Sequence, residues 1–361
     1  MTVTVSASSN LNQPKVLSKA FQEYTTSHEL AFLMGSGEDS AIQVKLDESK
    51  GRGSKMYFSL MEAQDTSTVV EGSTNLAGNE TSMVLRDFEV TLDYRRKAVQ
   101  MEQRRLVDLR TPVEIFNAIR PAILDVMARK TRDAILATAK VTATPHRTRV
   151  LAGATDANYN ATFATMLANV DASADKLSVD MISLALDKAR NVSGASNGST
   201  SREIRPINFR MDNGAMIRQY VLLVDAVGAK QLQADADFIA LRDDNRKNKI
   251  SMPYFNGHDY LGEVNGCMVY RVNALQNLVE SGAGASSIDV SHALLIGAQA
   301  FAYAIGHSGE FVVGDGATDT DYGRDFKIAY NTIVGEGMIV FSDGTNNIEQ
   351  GVVHLYHSGS Y

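Results

Sequence analysis

Residues 84–94 alternate between apolar and polar side chains over the length of a whole β-strand, interrupted only at Leu85 and Arg86. The apolar face of this segment would be formed by Val84, Phe88, Val90, Leu92 and Tyr94. The opposite face would carry Asp87, Glu89, Thr91 and Asp93. A period of two predicts a strand with one buried face and one solvated face. Residues 55–60 are a second strand candidate, and the Gly-, Asn- and Ser-rich residues 71–80 are typical of a turn, so together they predict a long β-hairpin.

This predicted hairpin limits what the chain can fold into. A hairpin of about 45 residues cannot bury an apolar face by itself. Either the rest of the chain or a neighbouring subunit must therefore cover that face.

A long helix is predicted after the hairpin. Residues 111–114 read Thr-Pro-Val-Glu, which is a capping box with proline at the first helical position. Apolar residues then recur at helical spacing up to Ala139, which predicts a helix of about 28 residues, or ~42 Å. Pro121 is expected to kink it near its first third.

The second half of the chain mixes short helices and strands. We expect Ser178 to cap a helix over 179–190, Asn265 and Gly266 to form a tight hairpin turn, and residues 226–241 to be helical. Strands are expected at 220–224, 328–341 and 351–356. Strands and helices do not alternate regularly and no repeat is present, so the fold class is α+β rather than a Rossmann fold, a TIM barrel or a solenoid.

Composition narrows the class of protein further. The chain has 361 residues, of which 44% are hydrophobic and 21% charged, which predicts a folded protein of about two domains. Its formal net charge of −7 argues against wrapping nucleic acid by bulk charge. Cys267 is the single cysteine, so neither an internal disulfide nor a Cys-based zinc site is expected. No membrane span or secretory signal is recognisable, which predicts a soluble cytoplasmic protein.

One sequence match suggests catalysis. Residues 194–198 read G-A-S-N-G, the G-x-S-x-G pattern of a nucleophile elbow, which makes Ser196 the candidate nucleophile of a soluble hydrolase. An elbow needs a strand before it and a helix after it. Here a predicted helix precedes it and a Ser- and Thr-rich stretch follows, so a surface loop is the favoured interpretation.

No metal or cofactor site is predicted. The acidic residues 314–321 lack the ligands that an EF-hand loop would need at Gly323 and Tyr330. The seven histidines are scattered, and the close pair His354 and His357 would point to opposite faces of a strand. An acidic surface turn is therefore the favoured interpretation of residues 314–321, with adventitious binding of a divalent ion as the alternative, and the two histidines are not expected to chelate a metal together.

A basic segment lies between residues 94 and 110. It holds six basic residues against two acidic ones. Such a segment could bind phosphate or an acidic partner, but a solvated or subunit-facing segment is favoured.

Five segments carry a resemblance to a known family: residues 94–139, 220–244, 253–272, 293–306 and 321–341. In their order and spacing they resemble phage major capsid proteins of the Hong Kong 97 type fold, with the N-four-like podophage capsid proteins as the nearest group. With the arm and hairpin they span nearly the whole chain. Each segment is a packing pattern without a catalytic signature.

The resemblance implies a domain organisation. It places an N-arm at residues 1–53, an extended E-loop β-hairpin at 54–100, a P-domain with a long spine helix and β-sheet from 101–149, an A-domain at 150–320, and strands returning to the P-domain at 321–361. The implied inter-subunit contacts of arm and hairpin are Phe21, Tyr57, Phe58, Leu76, Phe88, Val90 and Leu92. The implied charged contact patch is Arg95, Arg96, Lys97, Arg104 and Arg105.

The resemblance also implies a function without catalysis or cofactors. Copies of the chain would assemble in the host bacterial cytoplasm into hexamers and pentamers of an icosahedral head, which encloses double-stranded DNA without sequence-specific binding. Expected partners are a portal protein, a separate scaffolding protein and a decoration or cement protein, with no membrane. The alternatives are an encapsulin-like protein compartment and, more remotely, the Ser196 hydrolase.

One departure from the family pattern concerns covalent cross-linking. In the fold's founding member, an E-loop lysine is joined to an asparagine of another subunit. Here no lysine lies between Met56 and Arg96, which predicts non-covalent assembly.

Overall fold

The computed structural model describes residues 29–47, 54–61, 69–72, 77–78, 80, 82–101, 115–190, 203–210, 216–247, 259–314, 324–342 and 347–360. The helices are α1 (Ile115–Ala137), α2 (Phe163–Ala168), α3 (Val179–Ala189), α4 (Ala226–Ala234) and α5 (Ala236–Lys247). The strands are β1 (Met34–Gly35), β2 (Ile42–Leu46), β3 (Lys55–Met61), β4 (Leu85–Thr91), β5 (Asp93–Met101), β6 (Val150–Ala152), β7 (Ile207–Arg210), β8 (Met216–Val224), β9 (Tyr260–Val264), β10 (Cys267–Arg271), β11 (Val290–Ile296), β12 (Phe301–Val313), β13 (Phe326–Met338), β14 (Val340–Ser342), β15 (Asn347–Glu349) and β16 (Val352–Ser358). The mixture confirms the α+β class.

Four sheets organise these strands. The largest has the order β6-β16-β11-β8-β10-β9, with β7 paired to β8. A five-stranded sheet has the order β1-β2-β12-β13-β5, and β3-β4 and β14-β15 are two-stranded. Strands β8 and β10 are parallel, with Tyr220 opposite Cys267, and α4 and α5 lie between them in the chain. This parallel pair was not expected, because β9 and the Asn265–Gly266 turn give the same segment the pattern of a simple hairpin.

Most of the described residues belong to the larger of two compact units, made of residues 29–93, 132–307 and 334–361. Its largest sheet is apolar on both faces. One face packs against α3, α4 and α5 through residues such as Ile182, Leu222 and Leu355. The other face contributes Leu223, Leu294 and Val352 to a second core. Burial on both faces explains why β8, β11 and β16 are runs of apolar residues without alternation.

The described residues of the smaller unit are 94–101, 115–131, 308–314 and 324–333. Its described core is one stripe of α1, formed by Ile119, Ile123 and Met127 at a spacing of four residues, against Ile328 of β13. This is the spacing at which side chains share one face of a helix. The helix therefore exists where the sequence predicts it, and Pro121 lies inside it. The capping box at 111–114 lies outside the described residues.

Local signals in the larger unit are also confirmed. The Ser178 side chain accepts a hydrogen bond from the backbone N–H of Met181 at the start of α3. Asn265 and Gly266 have φ values of 50° and 83°, as a tight hairpin turn requires. The helix expected over 226–241 is two helices, because Asp235 adopts an extended conformation and its side chain accepts the N–H of Asp237.

The compact units cut the chain at different places from the predicted domain boundaries. Helix α1, for instance, contributes Ile115–Thr131 to the smaller unit and its last turns to the larger one. The arm, E-loop, P-domain and A-domain boundaries stay predictions.

Candidate functional site

The β3–β4 hairpin pairs antiparallel without a register shift, from Lys55 opposite Thr91 to Met61 opposite Leu85. Burial alternates along both strands, so each has one covered and one open face. This alternation confirms the predicted period of two.

The covered face lies at the base of the hairpin. Met56, Phe58 and Val90 are buried, and Phe88 and Leu92 are partly buried beside them. They pack on Ala302 and Ala304 of β12, on Ile339 and on Phe341 of β14. At its base, the hairpin is therefore covered by its own chain, which is one of the two possibilities that its sequence left open.

The open face of the base carries a ladder of polar contacts. The Tyr57 hydroxyl donates to Glu89 Oε2 at 3.1 Å, and Lys55 Nζ lies 2.5 Å from Glu89 Oε1. The Ser59 hydroxyl donates to Asp87 Oδ1 at 2.5 Å. The hydrogen bond from Lys55 lowers the pKa of the Glu89 carboxyl below its usual value. These cross-strand contacts stiffen the base, although each contributes little because it is exposed.

The far end of the hairpin exposes apolar side chains. Met61 and Leu85, directly opposite each other, are 63% and 68% exposed. Met83 and Val84, which immediately precede Leu85 in the chain, are also exposed, as is Val69. A cluster of exposed apolar side chains on one element is typical of a surface that another protein covers.

The first part of the basic segment lies on β5, in the smaller unit. Arg95 Nη1 donates to Thr131 Oγ1 of α1 at 3.1 Å, which anchors that side chain. The Arg96 guanidinium lies 5.8 Å from the ring centroid of Tyr94, and Arg96, Lys97 and Tyr94 are exposed. The described part of this segment thus presents cations and one aromatic ring to its surroundings.

A family comparison decides what kind of protein carries these features. The model of the phage capsid protein family matches residues 4–360. The chain belongs to this family. No curated protein matches it.

Solved structures similar to this capsid protein are phage capsids. The chain is 21% identical to the cyanophage Pam1 capsid protein over 98% of each chain, with a TM-score of 0.76. It is 19% identical to the capsid protein of Ralstonia phage GP4 over 100% of this chain and 99% of that chain, with a TM-score of 0.77. It is 18% identical to that of Helicobacter pylori bacteriophage KHP30, over 98% and 97%, with a TM-score of 0.73. These likenesses show the shared fold over the whole length.

Family membership makes this protein a major capsid protein that forms a phage head, so it is part of the virion and its copies associate into a shell. Its role is structural. Within the described ranges, no helix is long and apolar enough to cross a membrane.

The predicted contact residues of the capsid protein differ in how far their side chains are exposed. Tyr57 is half exposed on the open face of the hairpin. Phe58 and Val90 are buried within the subunit, and Phe88 and Leu92 are partly buried on the same cluster. Phe21, Leu76, Arg104 and Arg105 lie outside the described residues. Met61 and Leu85 are not among the contact residues that the resemblance implies, and Leu85 interrupts the apolar–polar alternation of its segment.

Among the residues that the structure describes, the chemical candidates do not assemble into a reactive site. Ser196 lies outside the described residues, as does the acidic turn except for Gly314. His354 and His357 do not share a site, because His354 Nδ1 lies 3.0 Å from His292 Nε2 whereas His357 Nε2 faces Asp225. In the part of the chain that the structure describes, no group of three or more His, Cys, Asp or Glu could hold a metal ion.

Proposed function

We propose that this capsid protein assembles into hexamers and pentamers of an icosahedral head, and that the far end of the β3–β4 hairpin lies on a neighbouring subunit. The exposed apolar pair Met61 and Leu85 carries this proposal. Their side chains extend beyond the base that the subunit itself covers, so burying them requires another molecule. The chain belongs to the phage capsid protein family, and copies of a capsid protein associate into a shell, so the partner that we propose is another copy of this chain.

The enclosed cargo is double-stranded DNA, held without sequence-specific contacts. The net charge of −7 supports this, because an acidic wall does not bind phosphates tightly and lets the genome move during packaging. Portal, scaffolding and decoration proteins are the remaining proposed partners, assembly takes place in the host bacterial cytoplasm, and the N-four-like podophages are the proposed closer relatives.

The direct test is to produce the full chain alone and measure the size of the product by light scattering and electron microscopy. We expect rings of subunits or megadalton shells, since many copies of a modest interface add up to a stable closed particle. A stable monomer of 39.2 kDa at micromolar concentration would contradict the proposal. Particles isolated from infected cells should contain DNA, whereas enclosed enzymes would indicate an encapsulin-like compartment.

A further inference from the structure

Two glycines of β13 lie directly under the hairpin strand β4. A Cβ atom added at Gly335 would collide with the carbonyl oxygen of Thr91 and approach Val90 Cγ1 to 2.8 Å. A Cβ atom added at Gly337 would lie 2.8 Å from Cζ of Phe88. Real Cβ atoms essentially never approach other atoms this closely. The β4 backbone at Gly335 and the Phe88 ring at Gly337 therefore lie closer to β13 than a side chain at these two positions would allow.

Space, rather than backbone conformation, explains these glycines. Neither has a positive φ, so an L-residue could adopt the same backbone. Both lie on one face of β13, since they are two residues apart in a strand. The requirement at these positions is therefore the absence of a side chain on that face.

The neighbouring strand continues the same surface. Ala302 and Ala304 of β12 are fully buried, and they contact the cluster that contains Met56, Phe58 and Val90. We call Ala302, Ala304, Gly335 and Gly337 the platform. These four small residues lie on two adjacent strands, and the large side chains of the hairpin base pack against them.

A lysine beside the platform holds the other hairpin strand. Lys45 lies on β2 opposite Ala304 of β12. Its Nζ donates to the backbone carbonyl of Tyr57 at 2.9 Å and lies 5.8 Å from the ring centroid of Phe58. The hairpin is therefore fixed on both strands, by close packing under β4 and by a charged donor on β3.

We propose that the platform and Lys45 are the positioning residues of assembly, which set the height and direction at which the hairpin leaves the subunit. This inference rests on the proposed role of the hairpin in contacting a neighbour. A small displacement at the base of the hairpin would produce a larger displacement of Met61 and Leu85, because these residues lie at the opposite end of the same rigid hairpin. The contact between subunits would then be lost while each subunit stays folded.

The test is the substitution Gly337→Ala, which places a methyl group against the Phe88 ring. Overpacking of this kind destabilises the packed base of the hairpin, so amide hydrogens in residues 55–61 and 85–91 of the free subunit should exchange about tenfold faster. Shell yield should fall by about the same factor or more. The matched control is Gly37→Ala, where the nearest atom to the added Cβ is Ser40 Oγ at 3.9 Å and no change is expected.

A second substitution separates displacement from general damage. Phe88→Leu removes the ring atoms that the new methyl group meets, so Gly337→Ala/Phe88→Leu should restore slow exchange and shell yield together. Lys45→Met removes the charged donor without overpacking and should also speed exchange in residues 55–61.

The outcomes discriminate clearly. Unchanged hairpin exchange in both Gly337→Ala and Lys45→Met would overturn the inference, whether or not shells form. If Gly337→Ala fails to fold, the Lys45→Met result decides the question alone. The wild-type chain could form no shell while these variants still alter amide hydrogen exchange in the hairpin. The proposed function would then be refuted, but the conclusion that the platform and Lys45 fix the hairpin on its own subunit would be retained.

Discussion

At the scale of single residues, the large sheet contains three buried histidines, His292, His354 and His357. His292 of β11 and His354 of β16 are joined by a 3.0 Å contact between ring nitrogens, and the His292 ring stacks on Tyr356 at 4.4 Å. Burial lowers the pKa of His354 to about 3. Burial also lowers the pKa of His292 well below its usual value, and the nearby His354, His357 and Lys140 lower it further. Burial also lowers the pKa of His357, against the opposing effect of Asp225. The folded subunit thus holds neutral histidines.

Acid should therefore destabilise the subunit. The pKa values are lower in the folded state than the value of about 6.5 in the unfolded chain, so the unfolded chain binds more protons below that pH. The contribution of the neutral histidines to the free energy of unfolding is fully present above about pH 6.5. It is lost as the pH falls toward their pKa values in the folded state, by at most about 1.4 kcal/mol per pH unit for each histidine. Denaturant unfolding at pH 7.5 and 5.0 measures this.

The control for that measurement is the variant His292→Leu/His354→Leu, whose stability should depend less on pH. An equally steep dependence in the double variant would show that these two histidines are not responsible.

Glu349 should affect the pH dependence of subunit stability in the opposite direction from the histidines. Burial raises the pKa of its carboxyl to about 7, and its Oε2 has no hydrogen-bond partner. The folded state therefore binds the extra proton, and its stabilising effect, complete below about pH 4.5, is lost as the pH rises through about 7. Glu349→Gln imitates the protonated form and should raise the free energy of unfolding at pH 8 by about 1–3 kcal/mol, with little effect at pH 5. A lower stability at pH 8 would contradict this assignment.

At the scale of elements, the hairpin combines a covered base with an open end. The base is bound to its own subunit through Met56, Phe58 and Val90. The end exposes Met61 and Leu85, which contribute nothing to the core of the subunit. Substitutions at the end should therefore affect association without affecting folding.

The variant Met61→Lys/Leu85→Lys tests this separation. Placing two charges in an interface that must exclude water is costly, so we expect shell formation to be abolished. The midpoint of thermal unfolding of the free subunit should stay within a few degrees, because both positions are exposed. The matched control Met61→Leu/Leu85→Met keeps the surface apolar and should assemble normally. Normal shells from the lysine variant would exclude this end of the hairpin as a contact.

Helix α3 offers a test of local stability in the large unit. The Ser178 side chain accepts the Met181 N–H, and the helix buries Met181, Ile182, Ala185 and Leu186 in the core. Ser178→Ala leaves that donor without its partner and should lower the free energy of unfolding by about 1 kcal/mol. Ser178→Asp, which keeps an acceptor, should retain most of the stability in the same denaturant titration.

At the scale of the whole molecule, we expect the stability of the shell to depend on contacts between folded subunits rather than on covalent bonds. Lysine is absent from residues 56–96, and Lys55 at the base of the hairpin is already paired with Glu89. Mature particles boiled in detergent should therefore give a single band at the subunit mass of 39.2 kDa. A ladder of multiples of this mass would show covalent cross-links and would refute the prediction.

The sequence by itself determined the elements whose signals lie within one short segment. The alternation in residues 84–94, the Ser178 cap and the Asn265–Gly266 turn each depend on neighbours in the chain, so their physical cause is visible in the order of residues. The family resemblance followed from the order of such segments and is confirmed by the match over residues 4–360.

Only the tertiary structure decided which surfaces meet. Phe88 rests over Gly337, and His292 lies against His354, although each pair is separated by many residues in the chain. Periodicity shows that the hairpin has an apolar face, but it does not show what covers that face. That depends on how distant strands pack, because burial is a property of the assembled sheets and not of any one segment. The rest of the chain covers the base of the hairpin, whereas Met61 and Leu85 at its far end stay exposed.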